Sequence, residues 1–195
     1  MFDEAAVLDA AAAEFRVHGY ADTSTEKLCA ATGVQRGSLY NAFTSKDELF
    51  VQALERYATT YRQRQEDLLS REGVTGAMRL RSVMEAITDE EFVARRHGHG
   101  AGCMVVQSTM APDLRERDQR ISRILDHDLR ERLSSLEGVI QAGRVDGSIP
   151  PDVDPADGAV LFTTVVNGVR VMGQAGTAPE VLRRVALAGI ASLVG

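Results

Sequence analysis

The sequence predicts an all-α fold: an N-terminal three-helix unit of the helix-turn-helix kind over residues 1–48, then a helical body over residues 49–195, about nine helices together. Three features carry that expectation. Apolar residues recur every three or four positions along most of the chain, as helices with one buried face require. No segment alternates apolar with polar residues as a half-buried strand would. Apolar residues make up 44% and aromatics only 5%, while Ala, Leu, Arg and Glu, all good helix formers, fill the periodic stretches.

From Phe2 to His18 the residues Ala5, Leu8, Ala12 and Phe15 share one face, and Gly19 supplies a stop. The hydroxyls of Thr23, Ser24 and Thr25 suit the cap of a short helix that turns Leu28 and Cys29 inward and ends at Gly33. A second short helix spans about Gln35 to Phe43, with Leu39 and Phe43 four apart on its inner face. Two short helices about a glycine turn are the minimal helix-turn-helix pattern. Ser45 and Glu48 have capping-box spacing and launch a long helix through Leu49, Leu54, Tyr57 and Tyr61 to about Ser70.

Gly73 and Gly76 mark a break, after which Val83, Met84 and Ile87 define another helix. Residues 95–102, with three glycines and two histidines, read as a loop. Cys103 to Met110 reads as a short buried helix stopped by Pro112, and Leu114 opens a long one carrying Ile121, Leu125, Leu129, Leu133, Leu136 and Ile140. Within it, Asp126, His127 and Asp128 are adjacent and point in different directions, so they read as its wet face. A proline-containing loop over 147–155 precedes Ala156 to Gln174, apolar nearly all round and in need of cover on several sides. A last helix runs from about Pro179 to Val194.

Twenty-two basic against twenty-eight acidic side chains give a formal charge of -6, so attraction to nucleic acid must rest on a local surface. Val34 to Lys46 offers one, with Arg36 and Lys46 and no acid, although through residue 64 seven basic residues face nine acidic ones. Cys29 and Cys103 match neither a disulfide framework nor a paired zinc motif, and the first residues lack the pattern of a secretory leader, so a cytoplasmic setting without membrane contact is expected. The histidines are scattered away from any nucleophile setting and no glycine-rich phosphate loop follows a strand, so the chain reads as a non-enzyme without a cofactor. His97, His99 and Cys103 share one glycine-rich stretch, which leaves metal or thiol sensing as the alternative means of response.

A helix that enters a major groove needs small or polar residues outward and apolar ones inward. Gln35, Arg36, Gly37, Ser38 and Asn41 meet that need once Leu39 and Phe43 take the inner face. Arg36 suits a guanine edge or a neighbouring phosphate, Gln35 and Ser38 suit base edges, and Tyr40 suits a phosphate through its hydroxyl. Lys46 and Thr25 sit at helix starts, where free N–H groups favour an anion.

Residues Gly19 to Leu54 resemble the N-terminal domain of TetR-family repressors in an ordered set of elements: Thr23-Ser24, Thr32-Gly33-Val34, Gly37-Ser38-Leu39-Tyr40, Phe43 and Ser45-Lys46-Asp47-Glu48-Leu49. The resemblance places Tyr40, Asn41 and Lys46 near the DNA backbone. It implies a homodimeric repressor on a pseudo-palindromic double-stranded operator, released by a small-molecule inducer held in the C-terminal body. Many relatives carry a basic arm where this sequence reads Met1-Phe2-Asp3, so modest non-specific affinity is expected. The C-terminal half is similar to one TetR subtype in which the last two helices of each subunit form a four-helix interface. Here they would contribute Leu161, Val165, Gly168, Val169, Met172, Leu182, Val185, Ala186, Gly189 and Ile190. Candidate inducer-pocket residues are Tyr57, Tyr61, Met84, Phe92, Met104, Gln107, Ser108, Met110, Leu125 and Phe162; the methionines suit an adaptable apolar cavity.

Overall fold

A computed structural model describes residues 3–194, so the expected helix start at Phe2 lies outside the described residues. These residues form helices and no strand: α1 (Glu4–Asp22), α2 (Thr25–Thr32), α3 (Arg36–Phe43), α4 (Lys46–Leu69), α5 (Gly76–Arg96), α6 (Met104–Thr109), α7 (Pro112–Arg117), α8 (Gln119–Asp146), α9 (Pro155–Gln174), α10 (Pro179–Gly189) and α11 (Ala191–Val194). The fold class is as expected, with eleven helices among the described residues in place of about nine. Two breaks account for the difference. Asp118 is extended, and its carboxylate accepts the Arg120 N–H at 2.8 Å; it thereby caps α8 and leaves Leu114 in a separate α7 that opens on Pro112. Ile190 departs from helical dihedrals and separates α11 from α10. In α1 the helical dihedrals fail at Gly19, the residue expected to stop it.

Packing groups the chain into Met1–Tyr61 with Gly102–His127, and Arg62–Ala101 with Asp128–Gly195. This differs from the division at residue 48, because α6, α7 and the start of α8 share a core with the N-terminal helices. In that first unit Phe15, Leu39, Phe43, Phe50 and Leu54 pack with Met104, Val105, Leu114 and Ile121. The Gln107 side-chain amide also donates to the Arg16 carbonyl at 2.6 Å. The Phe15 and Phe50 rings meet edge to face with centroids 4.9 Å apart, a favourable aromatic geometry.

The second unit packs Leu80, Val83, Met84 and Ile87 of α5 with Ile140, Phe162, Val166 and Ile190. Gly76 lets α5 approach α8 closely: a Cβ there would lie 2.5 Å from the Gly143 Cα. Two charged groups contradict the sequence-based picture of this unit. The helix read as apolar nearly all round buries Arg170, whose guanidinium donates to Glu91 at 3.1 Å and to Glu90, while Glu91 also accepts the Ala101 N–H at 2.9 Å. Asp128, expected on the wet face of α8, is buried and faces Arg62 at 3.6 Å and Arg132 at 3.4 Å. Both buried acids have charged partners, as desolvated carboxylates require.

Candidate nucleic-acid interface

The short α2 is fixed by its two ends. Ser24 Oγ accepts the Lys27 N–H at 3.3 Å, and Gly33 terminates the helix in the left-handed region at φ 68°, ψ 13°. Gln35 then returns to extended dihedrals and α3 begins. Leu28 and Leu39 are wholly buried and Phe43 nearly so, which anchors both helices from the inside. Turning Leu39 and Phe43 inward leaves Gln35, Arg36, Gly37, Ser38 and Asn41 exposed.

Thr25 and Tyr40 are half-buried, and their hydroxyls lie 2.7 Å apart, where either can donate. The Arg36 guanidinium carbon stands 6.0 Å from the Tyr40 ring centroid, at the edge of cation–π range. Thr25, Arg36 and Tyr40 thus form one connected edge of the exposed surface. Nothing lies within 4 Å of where a Cβ on Gly37 would sit, so intramolecular packing does not call for a glycine there. Gly37→Ala is therefore expected to stabilise the free protein by up to about 1 kcal/mol through helix propensity. Paired measurements of chemical denaturation and operator affinity should show stability rising while affinity falls.

Ser45 Oγ accepts the Glu48 N–H at 3.1 Å, which supplies one arm of the expected capping box. Glu48 does not complete it. Its carboxylate accepts instead from Gln52 at 2.8 Å and Arg120 at 2.8 Å, and the arginine holds it below the usual carboxylate range. Lys46 is half-buried with its ammonium 4.3 Å from the Tyr20 ring centroid. Burial pushes its amine below the ordinary lysine value, and nearby Asp47 partly opposes this. The Tyr20 hydroxyl donates to Asp47, and Arg117 reaches the same hydroxyl at 3.1 Å and the same carboxylate at 3.4 Å. Burial, then the bond to Asp47, raises the Tyr20 phenol above its usual value. Sequence reasoning named Asp47 only within a motif and did not single out Tyr20, whose ring meets Lys46, or Arg117, which with Asp47 holds the Tyr20 hydroxyl; an aromatic directly after the Gly19 break was the available local signal.

Seven of the ten candidate pocket residues belong to the first unit and three to the second. Met104, Gln107 and Ser108 line a cavity of roughly 450 Å³ in the first unit, together with residues of α1, α4 and α7. Tyr57 and Tyr61 stack on each other with centroids 5.8 Å apart, and Leu125 is buried in the core of that unit. Met110 is 76% exposed just beyond the end of α6. In the second unit Met84 and Phe162 are consumed by the core, and Phe92 is half-buried.

The expected interface residues also divide. Leu161, Gly168, Met172 and Val185 are exposed, as are Val160 and Val171, which gives α9 and α10 an open apolar face. Val169, Leu182, Ala186 and Ile190 are buried within their own unit, and Val165 is half-buried against Gly189. His97 and His99 stack with centroids 6.4 Å apart, and the His99 ring bonds the Gly100 carbonyl at 2.7 Å. Cys103 is buried in the other unit, and no group of three or more potential metal ligands occurs among the described residues.

Residues 7–53 match the family model described as bacterial regulatory proteins, tetR family, and residues 76–188 match the tetracyclin repressor-like C-terminal domain. The chain is 29% identical over 188 residues to the HTH-type transcriptional repressor ComR of Escherichia coli, covering 95% of this chain and 86% of ComR. Its fold is similar to that of E. coli NemR, with 23% identity, TM-score 0.80 and coverage of 100% of this chain and 98% of that one. It is likewise similar to a cysteine-substituted TetR family transcriptional regulator CifR complexed with 26-base-pair double-strand operator DNA, with 24% identity, TM-score 0.79 and coverage of 99% and 97%.

Proposed function

The chain belongs to the tetR family of bacterial regulatory proteins, and from that membership we propose that it is a homodimeric cytoplasmic repressor, released from a pseudo-palindromic operator by a small molecule. The observation that carries the proposal is the exposed polar face of α3, Gln35 to Asn41, supported from within by Leu39 and Phe43. Arg36 reads a guanine edge, Gln35 and Ser38 contact neighbouring bases, and Thr25, Tyr40, Asn41 and Lys46 hold phosphates. The operator complex of CifR supports DNA as the partner.

Dimerisation is proposed through the open apolar face of α9 and α10. Val160, Leu161, Val171, Met172 and Val185 are each between 38% and 59% exposed, a concentration of large apolar side chains that pairing would remove from water. Pairing sets two readers on the two half-sites of one operator. Val185→Asp with Leu161→Asp is expected to halve the sedimenting mass and to abolish measurable operator retention while leaving helix content unchanged. A double variant that stays dimeric would rule this face out.

The function as a whole is tested by selecting bound fragments from a random DNA pool at increasing salt. Enrichment of an inverted repeat is expected, with affinity falling steeply as salt rises. Absence of an enriched motif would overturn the proposal.

A further inference from the structure

The cavity of roughly 450 Å³ in the first unit has the size of a small-molecule pocket. Its walls are apolar at Phe15, Phe50, Met104 and Leu114, and Lys46 and Arg117 stand on the same lining with a single carboxylate, Asp113. Arg117 is already engaged by Asp47 and Tyr20. Lys46 rests on the Tyr20 ring and makes no ion pair among the described residues, although the Asp47 and Asp22 carboxylates are near enough to act on its charge.

We propose that this cavity is an effector site, and that it takes a small amphipathic anion with an apolar or aromatic body and one carboxylate or sulfonate group. This rests on the regulator function above and specifies where and how release occurs. The apolar body lies against Phe15, Phe50, Met104 and Leu114, and the acid group meets Lys46 and Arg117 in a charge-assisted contact. A partly desolvated ammonium is a favourable partner because its hydration is already reduced. Lys46 is also the proposed phosphate contact at the start of α4. An anion held in the cavity engages the ammonium that a DNA phosphate would use, so the two ligands oppose each other, and by linkage each weakens the other equally. Such competition at one side chain favours release.

The test uses the full chain and two fluorescent probes, 1-anilinonaphthalene-8-sulfonate and its uncharged counterpart N-phenyl-1-naphthylamine. The sulfonate probe is expected to bind at one saturable site per chain, at least about tenfold more tightly than the neutral probe, and to weaken DNA retention as it saturates. Ala111 lines the cavity away from the DNA-contacting set. Ala111→Trp is expected to abolish that site and leave DNA retention without probe unchanged. The gentler Ala111→Leu should weaken the site at least about threefold, which keeps the test decisive if the tryptophan variant fails to fold. Equal affinity for both probes, absence of a saturable site, or a site untouched by a folded Ala111 variant would overturn the proposal. DNA retention by the wild type without probe tests the regulator function separately, since loss of that signal would leave the probe titrations intact.

Discussion

Replacing Arg36 with alanine is expected to weaken binding to the selected operator by about 1–3 kcal/mol and to relax the preference at one base pair in each half-site. Arg36 is exposed on the outer face of α3, with the Tyr40 ring at the edge of cation–π range and the Glu26 carboxylate near enough to feel its charge, so its fork of donors can meet a guanine O6 and N7. Lys46→Ala should behave differently. A phosphate contact carries no base identity, so affinity is expected to fall alike for all sequences and the salt dependence to flatten by about one counterion. Quantitative retention of the selected operator and of single-base variants, at several salt concentrations, separates the two effects. Equal, sequence-independent losses from both substitutions would refute the proposed division of labour.

Arg170→Met is expected to destabilise the second unit by about 3–5 kcal/mol, measured by chemical denaturation. Glu91 is 2% exposed and faces Arg170 at 3.1 Å; the Ala101 N–H alone cannot replace that charge. The buried carboxylate is then left without a cation beside it. The double variant Arg170→Met with Glu91→Leu removes both charges, and it is expected to recover most of the loss if the cost lies in stranding one charge. A single variant as stable as the wild type would show that the pair contributes little.

Local chemistry in the sequence was enough to locate the reader. Ser24 before Thr25, Gly33 after Thr32, and the spacing of Leu39 and Phe43 each name a cap, a turn or a face that neighbouring residues decide. The Gly19 break followed from the same rules. Contacts between residues distant in sequence were less legible. Arg170 and Glu91 are 79 positions apart, so nothing near Arg170 announced that an apolar-looking helix buries a cation. The reciprocal arm of the capping box was lost because Arg120, far along the chain, competes for Glu48. The cavity shows the same limit. Its lining comes from α1, α4, α6 and α7, and of the ten residues chosen by type and position only Met104, Gln107 and Ser108 reach it. Helical period indicates which side of a helix is apolar; it does not distinguish a filled core from a lined space.

On the proposed reading, α3 presents Arg36 and its neighbours to base edges in the major groove, once from each of two paired chains. Dimethyl sulfate footprinting of the selected operator tests it most directly, because the reagent reports guanine N7 in the major groove. Protection of guanine N7 is expected in two half-sites related by inversion and about one helical turn apart or a whole multiple of it, and it should be lost with Arg36→Ala. Protection confined to one half-site, or N7 protection that survives Arg36→Ala, would rule out this role for α3.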